Sequence, residues 1–312
     1  LENCLKVLDM AFATAHDKGI DYIIFGGDLY DKPQTLPTIV VNKTIERFVA
    51  LFKTYPHIKF IAISGNHDQA TKNTLQVPAI TALTHLNIIF DNFILLDNTT
   101  YTLYPDTPYT TTLYGVPYYD ISDFYHQALE DVLATPTTTN TKRILLCHQT
   151  PKNNYIKYAY DTDPDMEIYS EFDAIYCGHI HSGYKVTDTF HFINTPLHKS
   201  KDDYNDPKGF LIIDLMKPAE RVLYPIHHLF PQVRILNHPS EATPDMAGDL
   251  IFVRPATLTQ TTDNTVVTVS SVDTAEDASN LLTAYLDEAK ITGDKEAYLA
   301  VGESLLNQVK TK

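Results

Sequence analysis

The chain has 312 residues, 44% hydrophobic and 20% charged, which excludes wholesale disorder and allows two domains or one large domain with an appendage. Its 24 Lys and Arg against 39 Asp and Glu give a net charge of −15, which argues against nucleic-acid binding through one broad basic surface. No apolar run nears the ~18 residues of a membrane span. Three cysteines are too few for a disulfide framework, so a reducing, cytoplasmic compartment is expected.

Residues 1–18 read as an amphipathic helix with Leu5, Leu8, Phe12 and Ala15 on one stripe, stopped by Gly19. Cys4 falls on its apolar side and is expected to be buried. Residues 21–25 form a short buried strand that runs into the loop Gly26-Gly27-Asp28-Leu29-Tyr30-Asp31. A helix over 38–54 follows, then a strand over 59–63 ending in Ser64-Gly65-Asn66-His67-Asp68. Further strands are predicted at 88–90, 93–96, 111–116, 143–147, 174–177 and 210–214, with a helix over 121–133. Residues 150–170 read as a long surface loop. This alternation predicts a layered α/β domain over 1–217. Beyond Pro218 the pattern changes: 266–272 is strand-like, and 277–288 and 295–309 are helix-like. A small α+β second domain is therefore expected over 218–312.

Four segments put Asp, Asn or His directly after a predicted buried strand: Asp28, Asn66 with His67, His148, and His179 with His181. In α/β sheets, ligands sit beyond the carboxyl ends of the strands, where such loops converge. Mixed imidazole nitrogen and Asp or Asn oxygen suits a divalent ion such as manganese, iron or zinc. Each segment also has a plainer reading. Gly-Gly-Asp28 can be a simple turn, Asn66 or Asp68 a helix cap, and His148 a satisfied core histidine. Gly178-His179-Ile180-His181 is sharper, because alternate residues of an extended segment face one way. Cys147 and Cys177 read as small buried residues, with zinc–thiolate ligation as the alternative.

The four segments in this order resemble the calcineurin-like metallophosphoesterase family over about residues 20–185. The Gly27-Asp28-Leu29-Tyr30-Asp31 form, Asn194-Thr195-Pro196-Leu197 and Lys208-Gly209-Phe210 look similar to segments of its SbcD-like nucleases of double-strand-break repair and phage recombination. Asn194-Thr195-Pro196 departs from the usual Pro-Gly-Ser. The resemblance implies a β-sandwich flanked by helices, a C-terminal cap, and two divalent ions, manganese foremost. It implies that Asp28 bridges both ions, that Asn66, His148 and His179 complete the second, and that His181 binds the first. His67 would stabilise or protonate the leaving oxygen, Asp68 would orient His67, and Asp31 would fix its loop. Such ions neutralise a phosphodiester and activate water for in-line attack.

On this reading the chain is a metal-dependent DNA exo/endonuclease subunit, a homodimer with an SbcC-like coiled-coil ATPase partner, bacterial or phage-encoded, and not membrane-bound. Lys152, Lys157, Lys199 and Lys201 are candidate phosphate contacts. A calcineurin-like phosphatase or cyclic-nucleotide phosphodiesterase is an alternative, and a metal-deficient, non-catalytic DNA-binding subunit is another. The family's Asp-x-His motif, two ligands of the first ion, has no match in the sequence. It belongs before the opening helix, so it is expected upstream of Leu1, unless the protein is a naturally short homologue. Weak or no nuclease activity is expected of these 312 residues by themselves.

Overall fold

A computed structural model describes residues 1–31, 35–69, 79–136, 141–150, 166–237, 241–247, 249–253, 260–262 and 265–267. Two compact units divide the chain: residues 1–236 with 242–252, and residues 237–241 with 253–312.

The first unit is built on two sheets. β1 (Tyr22–Phe25), β2 (Lys59–Ala62) and β3 (Phe93–Leu95) form a parallel three-stranded sheet. β4 (Thr99–Leu103), β5 (Thr111–Val116), β6 (Lys142–Cys147), β7 (Ala174–Cys177) and β8 (Phe190–Phe192) form a second sheet in that order. Only β4 in it runs antiparallel to its neighbour.

The period-two alternation of the strands decides which layer each side chain joins. Ile61 and Ile63 share one cluster with Leu113, Ile144, Leu146, Ala174 and Tyr176, so the two sheets pack face to face. Phe60, Ala62 and Phe93 point the other way, against α1 (Glu2–Asp17) and α2 (Thr38–Thr54) through Phe12, Phe48 and Phe52. The Phe48 and Phe60 rings meet edge to face at 4.9 Å. On the outer face of the second sheet, Tyr114, Leu145, Cys147, Ile175 and Cys177 pack on α3 (Ser122–Leu133) through Tyr125, Ala128, Leu129 and Val132. The result is a helix–sheet–sheet–helix stack, the layered α/β fold expected. Each fully buried aromatic or aliphatic side chain in it contributes roughly 1.5–3 kcal/mol of transfer free energy.

β9 (Gly209–Ile213) and β10 (Arg221–Pro225) form an antiparallel hairpin. Its turn contains Lys217 and Pro218, so the expected domain boundary falls between two paired strands. β11 (Val233–Leu236) and β12 (Leu250–Val253) make a further two-stranded sheet. In the second unit, β13 (Gln260–Thr262) pairs antiparallel with β14 (Thr265–Val267). The helices expected over 277–288 and 295–309, most of the loop over 150–170, and Lys152 and Lys157 lie outside the described residues.

Three details differ from the sequence reading. Residues 88–90 are not a strand: Ala79–Ile88 is a 3-10 helix that buries Ile80 and Leu83 three residues apart, leaving Ile88 and Ile89 exposed at 85% and 76%. Cys4 is exposed, whereas Cys147 and Cys177 are buried as expected. β4, rich in Thr, the three-residue β8, and β10 to β13 carry no predicted strand. Among the described residues, no helix is long and apolar enough to cross a membrane.

Candidate metal centre

Each candidate ligand follows a strand. Asp28 follows β1, Asn66 follows β2, His148 follows β6 and His179 follows β7. The stacked sheets bring these four loops to one place. Asp28, His148 and His179 offer ligand atoms that all lie within 4.8 Å of one another. Asn66 Oδ1 completes the group, 3.1 Å from His148 Nε2 and 3.0 Å from His179 Nδ1. Asp28 Oδ2 lies 3.3 Å from His148 Nε2.

The backbone is shaped to make this convergence possible. Asp28 and His179 both adopt positive φ, +59° and +72°, a conformation that costs a non-glycine residue roughly 1–3 kcal/mol. Surrounding structure must hold them there. Gly27 (φ +97°) could not carry a side chain, since a Cβ would sit 2.5 Å from His148 Nδ1. A Cβ on Gly65 would overlap Asp28 Oδ1. The glycines of the two motifs therefore let the His148 and Asp28 side chains approach, which is their reason for being glycine.

His148 is fully buried, and its Nδ1 lies 2.6 Å from the Gly26 carbonyl. A carbonyl can only accept, so Nδ1 carries the proton and Nε2 faces Asp28. Burial works against charge on this ring, but the hydrogen bond and charge of Asp28 outweigh it and raise its pKa. Burial likewise pushes the Asp28 carboxyl up, yet His148 and the His67 amide bring it down to about 2. The pair thus favours positive charge between its facing atoms, where a cation would be held. His179 is pulled down to about 4 by burial and by the His148 charge, so its ring is neutral and keeps a lone pair to donate. One carboxylate, one amide oxygen and two imidazoles form a donor set that fits a borderline divalent ion.

The other predicted residues take different places. His181 is exposed and stands outside the close cluster, though the Asp28 charge reaches it. Burial and the Lys199 charge lower its pKa. His67 is exposed at the rim; its amide donates to Asp28 Oδ1 at 2.8 Å, and its Nδ1 lies 2.5 Å from the Asp31 carbonyl. That contact makes Nδ1 the donor and leaves Nε2 as the working atom. Asp31 makes that contact through its backbone carbonyl, not its side chain.

Asp68 does not grip the His67 ring. Its Oδ2 accepts from the amides of Asp28 (2.8 Å) and Gly65 (2.9 Å), and its Oδ1 accepts from Tyr30 (3.1 Å). Its role is to tie the β1 and β2 loops together, with ring contact supplied by Asp31 instead. Burial raises its pKa to about 6, only partly offset by the amides of Gly65 and Tyr30.

Several supporting residues had no local sequence signal. Asp97 accepts from both the amide (2.8 Å) and hydroxyl (2.6 Å) of Ser64, just before Gly65. Tyr118 sets its ring 5.6 Å from that of His179. Only the strand-end position of Pro117-Tyr118 after β5 could have pointed to the latter. Lys199 and Lys201 are exposed.

Two stacked sheets between helices, with a mixed oxygen and nitrogen ligand set at their strand ends, define an α/β metal-binding domain. The chain belongs to the calcineurin-like phosphoesterase family, whose model matches residues 1–183. Membership implies metal-dependent phosphoester hydrolysis, and the family binds divalent ions. Among solved structures, TT1561 of Thermus thermophilus is similar at 10% identity and a TM-score of 0.46, over 72% of this chain and 92% of that one. No curated protein matches the chain.

Proposed function

We propose that the chain is the nuclease subunit of a DNA end-processing and recombination system, cleaving phosphodiester bonds with two manganese ions. The convergence of Asp28, Asn66, His148 and His179 carries the metal part of this reading. The likeness of Lys208-Gly209-Phe210 and Gly27–Asp31 to SbcD-like segments favours DNA over small phosphoesters. The −15 net charge is no obstacle, because the ligand is met by bound cations rather than by a basic face. On the same reading the protein is a homodimer, residues 218–312 cap the DNA, and an SbcC-like ATPase is the partner.

Asp28, Asn66, His148 and His179 would hold one ion, and Asp28 with His181 would contribute to the other. When bound, the ions neutralise the phosphodiester and activate water. The chain's own residues do the rest. The Gly26 carbonyl fixes the His148 tautomer, and the Asp31 carbonyl turns His67 so that its Nε2 can hand a proton to the departing sugar oxygen.

The test is hydrolysis by the protein with Mn²⁺, using linear duplex DNA, 3′,5′-cyclic AMP and p-nitrophenyl phosphate side by side. DNA is expected to be the preferred substrate, with His148→Ala abolishing both Mn²⁺ binding and turnover. Preferred hydrolysis of either small ester would replace the nuclease reading with the phosphatase or cyclic-nucleotide phosphodiesterase alternative. Mn²⁺ binding without turnover of any of the three would favour the non-catalytic subunit.

A further inference from the structure

Behind His181 lies a buried ionic cluster that the metal centre does not account for. Lys208 is fully buried, at 0% exposure. An ammonium has three donors, and all three are used. Nζ lies 2.6 Å from Asp203 Oδ1, 2.8 Å from Asp206 Oδ2 and 2.7 Å from the His181 carbonyl oxygen. Asp203, at 1% exposure, is itself saturated: its Oδ2 accepts from the amides of Lys199 and Ser200, each at 2.8 Å. The second lone pair of the His181 carbonyl takes the Thr195 amide at 3.2 Å. Next to it, Asn194 Nδ2 donates to the Pro207 carbonyl at 2.9 Å, fastening that segment to the residue before Lys208.

A buried lysine between two carboxylates is a poor choice if stability is the only requirement. Apolar residues of similar volume often do as well or better, so such a cluster is weak evidence of stabilisation and better evidence of specified geometry. Here the geometry it specifies belongs to a residue of the site. His181 is exposed and has no side-chain hydrogen bond among those described, so its placement rests on its backbone. Two segments well separated from His181 in sequence, Asn194-Thr195-Pro196-Leu197 and Lys208-Gly209-Phe210, meet on that one carbonyl.

We infer that Lys208 is a positioning residue for His181, holding the His181 main chain so that its imidazole is available to a divalent ion. The inference rests on the metal-centre reading under the proposed function and extends it to a residue that touches neither ion nor substrate. Groups that orient ligands in this way typically account for about 10–100-fold in metal affinity or activity when removed.

The test is a double-mutant cycle on Mn²⁺ affinity, measured by isothermal titration of the full chain with Mn²⁺ alone. The variants are His181→Ala, Lys208→Met and the two combined. Lys208→Met is expected to weaken Mn²⁺ binding by about 10–100-fold, and adding it to His181→Ala should cost nothing more. Residues acting through one another are non-additive in this way, whereas a merely structural lysine adds its full effect to that of His181→Ala. Additive losses, an unchanged Mn²⁺ affinity in folded Lys208→Met, or a silent His181→Ala each overturn the inference while leaving the metal centre intact. Should Lys208→Met not fold, Lys208→Met with Asp203→Asn takes its place in the cycle, since it removes the charge of Asp203, the fully buried carboxylate of the cluster. A wild-type chain that binds no Mn²⁺ overturns the proposed function, and this inference with it.

Discussion

The two sheets contribute differently to one site. The three-stranded sheet supplies oxygen, from Asp28 and Asn66, on loops that are fastened by carboxylates accepting backbone amides and a hydroxyl: Asp68 on Asp28, Tyr30 and Gly65, and Asp97 on Ser64. Among the described residues, no lysine or arginine hydrogen-bonds to either carboxylate. The five-stranded sheet supplies nitrogen, from His148 and His179, with His181 two residues further along the same loop. Its loops are fastened by backbone carbonyls and, behind His181, by the Lys208 ammonium between Asp203 and Asp206. The same task, holding a strained loop still, is done on one side by neutral dipoles and on the other by a formal ion cluster. The consequence shows in the carboxyl groups. Burial raises Asp68 to about 6 and raises Asp97, because amides and hydroxyls offset only part of the desolvation. Asp203 is lowered although burial alone would raise it, because Lys208 and the Lys199 and Ser200 amides outweigh the desolvation.

If the oxygen side also carries the proton for the leaving group, His67→Ala should separate catalysis from metal binding. Turnover is expected to fall by about 10²–10⁴-fold, with Mn²⁺ content by atomic absorption unchanged, because the ring belongs to no ligand group. Loss of metal in this variant would move His67 into the coordination set and would sink the proton role assigned to it.

The sequence shows some of this contrast and hides the rest. Asp28, Asn66, His148 and His179 are legible because each closes a short apolar run, and a strand end is a local feature. The alternation in β2, β5, β6 and β7 is equally local, so both packed faces can be read from it. The fastenings are not local. Asp97 lies 33 positions from Ser64, and Lys208 lies 27 from His181. Nothing in a lone lysine before Gly-Phe announces that it will be buried. Asp68 misleads for a related reason. Its adjacency to His67 suggests a bond to the ring, but the carboxylate turns inward, where the orphan amides of two tight loops need an acceptor. Residues 88–90 misled through composition alone: Ile88-Ile89-Phe90 has strand character, but the preceding 3-10 turn had already met its burial needs with Ile80 and Leu83.

On the ionic side, Asp203→Asn is expected to destabilise strongly. One carboxylate oxygen faces Lys208 Nζ and the other faces two amides. An asparagine must therefore aim its NH₂ at a donor whichever way it flips. Breaking a buried pair in this manner costs about 3–5 kcal/mol, readable as a reduced urea midpoint at pH 7. The pH dependence has a definite sign. The folded pKa of Asp203 lies below the ordinary 3.8, so its stabilisation is complete above that value and is lost as pH falls through the folded pKa. The difference between wild type and variant should therefore shrink below pH 3.8. A difference that stays constant into acid would show that the lost contribution is packing and not charge.

The smallest expected effect is on the dipolar side, and it is the sharpest check on the contrast. In Asp97→Asn the amide oxygen can still accept from the Ser64 backbone, and the new NH₂ can donate to the Ser64 hydroxyl, which is able to accept. The stability change at pH 7 should stay below about 1.5 kcal/mol, the net worth of a single hydrogen bond. Its pH slope runs opposite to that of Asp203. The folded pKa of Asp97 is raised, so ionisation itself costs stability, and that cost grows as pH rises from 3.8 through the folded value. Asp97→Asn removes the ionisation, so the variant should gain on wild type as pH climbs through that window and run parallel to it above. Urea unfolding of both proteins between pH 4 and 8 measures this directly. A loss comparable to that of Asp203→Asn would mean that Ser64 depends on the Asp97 charge itself, and the two sides of the site would then be fastened by the same kind of force.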